Sequence, residues 1–260
     1  MYTLLLAALT GLPNAAALAH APDPEIQILT PIASAEPETK PAANDPENDA
    51  AKTPGDRVWR VVGDQPAPTF ENGVWRWGDC RIPTALHEGY AAPTPPGAIE
   101  IKSYPVVRRA EVRMATPMGN ASGTGFYPLF GHISRNDIPM TAPVEMDFSR
   151  TDAARGERVE WTMGFLYEHT RQGELGDDPS DARVDVVDVP PMTVISLGAQ
   201  GFSRGERIAQ AEGKLEAWLK ESGEWRRAGP TRWLGYNGPQ MPMSRQWSEV
   251  QIPIERIPTE

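Results

Sequence analysis

An α+β fold of two strand–strand–helix–strand–strand units is what this sequence predicts, and three observations carry it. Between Ile99 and Ile254, apolar residues alternate with charged ones in short runs, the period of half-buried strands. Two intervening stretches repeat instead at the helical period. Each helical stretch has two strand runs before it and two after it, so the order of elements repeats although the residues do not.

Taken in order, residues 1–21, MYTLLLAALTGLPNAAALAHA, have a short apolar run, small residues and an A-x-A-like end at Ala19-His20-Ala21. This reads as a secretory signal peptide, which implies export to a periplasm or the exterior. The run is too short to span a bilayer, so no permanent membrane anchor is expected. No Lys or Arg precedes Lys40, and a cytoplasmic location is the alternative. Residues 22–56 are rich in Pro, Ala and acids and poor in large apolar groups, the composition of a disordered spacer. Residues 57–97 form a Trp-rich extension. Runs VWRVV (58–62) and VWRWG (74–78), with the turn signal Asn72-Gly73, suggest a hairpin, and AAPTPPG (91–97) reads as a Pro-rich linker.

The main domain, 98–260, opens with Ile99 and Ile101 against Glu100 and Lys102, then Ala110, Val112 and Met114 against Glu111 and Arg113. A sheet with one wet face follows from that alternation. Phe126, Leu129, Phe130 and Ile133 then fall at i, i+3, i+4 and i+7, with Pro128 placed for a first helical turn. Strands carrying Val144/Met146/Phe148 and Val159/Trp161/Met163/Phe165 complete the first unit. The second has strands near 183–189 and 193–199, a helix from 204 to about 222, and strands near 231–236 and 249–254. Ser203 and Glu206 form a capping box, Ile208, Ala211, Leu215, Trp218 and Leu219 the buried stripe, and Gly223 the stop.

Composition excludes several classes. The formal charge is −10, of which residues 21–56 supply −6, and no basic cluster offers the footprint a nucleic acid needs. Cys80 is the single cysteine, so an intrachain disulfide and a thiolate zinc site are ruled out. GNASGTG (119–125) lacks the Gly-Lys-Ser/Thr of a phosphate loop. The four histidines have no metal-ligand spacing, no G-x-S-x-G elbow occurs, and no catalytic constellation emerges. His132 lies beside the apolar stripe of the first helix, where a surface histidine and a metal ligand are both open readings. Arg108, Arg109, Arg113 and Arg135 read as a solvated face or as anchors for a ligand's carboxylates. Met140 and the rigid loop YNGPQMPM (236–243) present thioethers that suit core packing, an adaptable apolar groove or haem iron.

Four segments resemble the SOUL haem-binding family: IEIKSYPVVRRAEV (99–112), GFYPLFGHISRNDIPMTAPV (125–144), VDVVDVPPMTVISLGAQGF (184–202) and LGYNGPQMPMSRQWSEVQIPI (234–254). The most specific part is the order Phe126, Leu129, Gly131, Asn136, Ile138 and Met140 to Val144. The resemblance implies a distorted antiparallel β-barrel with two helices in two pseudo-symmetric halves, similar to bacterial effector-binding domains. It implies non-catalytic binding of haem or a related tetrapyrrole in an apolar groove beside the first helix, as a carrier or buffer. On that reading Phe126, Leu129, Phe130, Ile133 and Met140 would line the groove, and Arg108, Arg109 or Arg135 would meet the propionates. His132 would be an axial ligand if one is used. The alternative is a module for another apolar small molecule or a protein partner on the same scaffold.

Overall fold

The computed structural model describes residues 57–115, 122–148, 160–201 and 205–258. The signal peptide, the acidic spacer, Ser203 of the capping box, Val159 and the loop positions 119–121 lie outside the described residues.

The elements are β1 (Val58–Val62), β2 (Thr69–Glu71), β3 (Val74–Trp77), β4 (Cys80–Ile82), β5 (Ile99–Tyr104), β6 (Val107–Met114), α1 (Tyr127–Arg135), β7 (Val144–Phe148) and β8 (Trp161–Leu166), then β9 (Gly176–Asp177), β10 (Val184–Val189), β11 (Met192–Gln200), α2 (Gly205–Ser222), β12 (Trp225–Arg227), β13 (Arg232–Gly235) and β14 (Trp247–Arg256). Both units predicted from periodicity are present. The turn at Asn72-Gly73 has both residues at positive φ, 52° and 76°, as a tight hairpin requires. Its strands are β2 and β3, whereas β1 adds instead to the main sheet beside β5.

The main antiparallel sheet runs β1–β5–β11–β14–β13–β7–β8–β6–β10–β9, with β12 paired to β14 off that path. Outward from the central β13–β7 pair the order is mirrored: β14, β11, β5 on one side and β8, β6, β10 on the other. The leading strand of each unit therefore pairs in the other unit's wing. The expected barrel does not form, because the sheet does not close. Closure would require β5 and β10 to meet, and their outer edges are already hydrogen-bonded to β1 and β9.

One face of the sheet carries Ile99, Ile101, Val112, Met146, Phe165, Val250 and Ile252, packed against Leu129 and Ile133 of α1 and Ile208, Leu215 and Leu219 of α2. Full burial of such side chains contributes about 1.5–3 kcal/mol each. Gly223, at φ 62°, follows the end of α2, a conformation glycine adopts without a Cβ penalty.

The opposite face was expected to be wet. It is buried, although it carries Lys102, Arg109, Glu111, Glu145, Arg232 and Glu249. The Pro-rich segment read as a linker is what covers it: residues 85–98 cross this face as a strap, from Ala85 O, which accepts the Ala142 amide, to Gly97, whose amide donates to Gly198 O. Alternation in sequence reports polarity, and polarity here marks pairing. Arg109 and Arg232 both hold Glu145 and Asp147, and Lys102 Nζ donates to both oxygens of Glu249 at 2.9 Å. Gly164 lets Arg109 lie across β8, since a Cβ there would stand 2.7 Å from Arg109 Cδ.

Removing one partner of such a pair leaves an uncompensated buried charge. Lys102→Met should destabilise the fold by about 3–5 kcal/mol in urea unfolding. Lys102→Met combined with Glu249→Gln should be less destabilised than the sum of the two single changes.

Candidate functional site

Helix α1 is preceded by a π-helical turn, Ser122–Phe126, seated on two methionines: a Cβ at Gly125 would stand 2.7 Å from Met114 Cε and 3.2 Å from Met163 Sδ. Pro128 sits in the first turn, where its missing N–H breaks no helical bond. The helix ends at Asn136, whose backbone and side-chain amides both donate to His132 O, at 3.2 and 2.9 Å. Asp137 follows at φ 53°, the left-handed geometry that turns the chain out of the helix.

The four apolar positions of α1 and its approach divide into two pairs. Leu129 and Ile133 point into the core and are not accessible to a ligand. Phe126 is half-buried and Phe130 is 48% exposed; their rings stack with centroids 6.0 Å apart and planes 10° apart. Tyr127, not singled out in the sequence, is 65% exposed and packs edge-on against Phe126. Phe126 also meets Phe165 edge-on at 5.1 Å, which ties the outer aromatic row to the core. Met140, in the segment leaving the helix, is 37% exposed.

His132 is buried, and both ring nitrogens are engaged at 2.7 Å, Nδ1 with Asp178 Oδ2 and Nε2 with the Tyr167 hydroxyl. The neutral tautomer with its proton on Nδ1 satisfies both: Nδ1–H donates to Asp178, and Nε2 accepts from Tyr167. Ligation of a metal through Nε2 would require giving up the Tyr167 contact. Arg135, at the helix C-terminus, donates to the same Asp178 oxygen at 2.6 Å while its side chain remains 43% exposed. Burial alone would raise the Asp178 pKa, but the Ser180 amide, His132 and Arg135 outweigh it and hold the carboxyl at about 2.

The remaining expected cations are elsewhere. Arg108 is held by Asp188 through two hydrogen bonds of 2.7 and 2.9 Å and donates to Gly173 O at 3.0 Å. Arg109 lies on the strap-covered face of the sheet, within the Glu111–Glu145–Asp147 network, and does not join α1. Asp147, despite burial, is held at about 2 by Arg232 and Arg109. Of these cations only Arg135 is on α1, where its recorded partner is Asp178. Asp178 and Tyr167 were missed in the sequence because they lie in a loop and at a strand end, where no period marks them. Among the described residues no group of three or more His, Cys, Asp or Glu is arranged to hold a metal, and no helix is long and apolar enough to cross a membrane.

An open antiparallel sheet in two mirrored wings, with two helices on one face, defines the class of α+β protein to which the chain belongs. The model of the SOUL heme-binding protein family matches residues 90–253, and the chain belongs to that family. Family membership gives it a haem- or tetrapyrrole-binding role and makes haem its expected cofactor. No curated protein matches the sequence. Among solved structures, the chain is similar to EcmrR in a cryo-EM complex with DNA, at 13% identity and TM-score 0.50. That match covers 61% of this chain and 57% of that one. It is also similar to the crystal structure of the EcmrR C-terminal domain, at 13% identity, TM-score 0.47 and 61% and 98% coverage. An uncharacterized conserved protein from Listeria innocua matches at 14% identity, TM-score 0.47 and 62% and 94% coverage. At 13% identity the likeness to EcmrR in the DNA complex shows the fold alone.

The Asp178 carboxylate gives a pH dependence with a definite sign. Its pKa is lower in the folded chain than the usual 3.8, so its contribution is present above pH 4 and is lost as pH falls toward 2. The stability gap between the native chain and Asp178→Asn should be about 2 kcal/mol at pH 5 and should shrink toward zero near pH 2, read by urea unfolding across that range.

Proposed function

We propose that the outward face of α1, formed by Phe126, Tyr127 and Phe130 with Met140 on the segment that follows, is where haem or a related tetrapyrrole docks. The observation that carries this reading is the stacked Phe126–Phe130 pair, with half-buried Phe126 backing Phe130, which is exposed beside Tyr127 within the stretch that bears the family motif. A macrocycle needs flat apolar contact, and exposed aromatic rings supply it over a large area for little loss of side-chain freedom. Arg135 keeps N–H groups free on its exposed edge and is the cation for a propionate, although part of its charge is spent on Asp178. These residues fit a bound macrocycle held by its faces and its carboxylates.

Haem, when bound, supplies an iron with axial positions. The His132 imidazole is not free to fill one in this arrangement, because Tyr167 holds its Nε2. That observation also favours the second reading, a module for another apolar amphiphile on the same face, since contact without ligation does not demand iron. The chain's role is that of a carrier or buffer, without nucleic acid as a partner, given its acidic balance. The Ala19-His20-Ala21 signal-like end supports an exported location.

Haemin titrated into the full chain should give a saturable Soret shift, and Tyr127→Ala/Phe130→Ala should weaken binding about tenfold without unfolding the chain. An unchanged affinity would remove α1 from the site, and a chain that gives no saturable shift with haemin yet is thermally stabilised by another apolar amphiphile would favour the second reading. His132→Ala should leave the Soret maximum where it is in the native complex; a displaced maximum would make His132 an axial ligand.

A further inference from the structure

The strap over the polar face is held in the manner of a bound peptide. From 93 to 96 it reads Pro-Thr-Pro-Pro, so across these four residues the backbone owns a single N–H, that of Thr94. Glu249 Oε1 accepts it at 2.7 Å. The Thr94 carbonyl accepts the indole Nε1–H of Trp247 at 2.6 Å, and its hydroxyl lies 3.1 Å from Ser196 Oγ. One turn of chain earlier, the Tyr90 hydroxyl donates to Glu145 Oε1 at 2.7 Å. Gly198 allows the close approach: a Cβ there would stand 2.3 Å from both the Thr94 and Pro95 carbonyl oxygens.

An aromatic floor with an indole donor, set to receive the carbonyls of an extended proline-rich backbone, is a recurrent solution to peptide recognition. A buried extended segment satisfies its backbone most easily when most of its residues have no N–H to place, which is what three prolines in four residues achieve. The groove side chains, Ser196, Trp247, Glu249 and Glu145, belong to the sheet and would present the same groups to a peptide that was not covalently attached.

We propose that the polar face of the sheet is a peptide-binding groove for an extended Pro-Thr-Pro-Pro type segment, and that residues 90–97 are its built-in occupant, closing it to other ligands. This groove lies on the opposite face of the sheet from α1, so it stands or falls independently of the tetrapyrrole site.

Two measurements on the full chain decide it. In the first, the strap is loosened by Tyr90→Ala, Thr94→Gly and Pro95→Gly, all on the occupant, leaving the groove intact. A fluorescently labelled peptide of residues 88–98 is then followed by anisotropy. The native chain should not take up the peptide, and the loosened chain should bind it at least tenfold more tightly. Adding Trp247→Phe, which removes only the indole donor and a little volume, should weaken that binding several-fold. A loosened chain that stays folded yet binds no better than the native one overturns the proposal, as does binding indifferent to Trp247→Phe. In the second, hydrogen exchange of the native chain is measured at the Thr94 and Gly97 amides. Exchange at least tenfold faster than in the central amides of β11 and β14 is expected of a detachable occupant. Exchange only through global unfolding, at the rate of those strands, overturns the proposal even if the loosened variant fails to fold.

Discussion

The carboxylate of Glu249 is the junction on which the rest of the structure depends. It is fully buried and accepts from Lys102, Thr94 and Tyr236 on one oxygen and from Lys102, Ser196 and Gln251 on the other. Those donors come from β5, β11, β14, the strap and the residue following β13. Burial alone would push the group toward its neutral form, but Lys102 and the surrounding donors outweigh it and keep the carboxyl below its usual range. A buried charge is tolerated only when its partners are in place, so this one group fixes the register of three strands and the seat of the strap together.

The second ionic cluster does the same for the other wing. Arg109 on β6 and Arg232 on β13 clasp Glu145 and Asp147 on β7, and the Tyr90 hydroxyl closes the cluster from the strap. Arg113 extends the row outward through Glu111. The helices on the opposite face pack on it chiefly through the apolar surface of Leu129, Ile133, Ile208, Leu215 and Leu219, with the polar contacts of His132 and Glu212 at their margins. One face of the sheet is therefore specified by shape and hydrophobicity, the other by charge matching. The exposed rings of Phe130 and Tyr127 stand out because they answer to neither.

Much of this was legible in the sequence and the remainder was not, for definite reasons. The 2.0 and 3.6 periods located the strands and both helices, since each reports which residues face an apolar neighbour. The same alternation cannot say whether the polar residues meet water or one another. Lys102 and Glu249 are 147 positions apart, and nothing local in either strand announces the pair. The segment from Ala91 to Gly97 read as a linker because proline-rich composition looks alike whether solvated or laid across a sheet. At the candidate site, the helical period picked out Phe126 and Phe130 and the motif Met140, all of which reach the surface at least in part, while Arg135 was picked out by its charge alone. Leu129 and Ile133 were found by the same period but face the other way, and Asp178, which sets the environment of His132, gave no signal at all.

The mirrored strand order carries an evolutionary corollary. Because β5 pairs with β11 and β10 pairs with β6, a strand–strand–helix–strand–strand unit standing alone would have its leading strand in the wrong wing, with no partner to complete either edge. Two such units can form this sheet only by exchanging their first strands. If the chain arose by duplication, its single-unit ancestor was a strand-swapped homodimer, and the connection from β8 to β10, residues 167–183, is the place where two separate molecules became one.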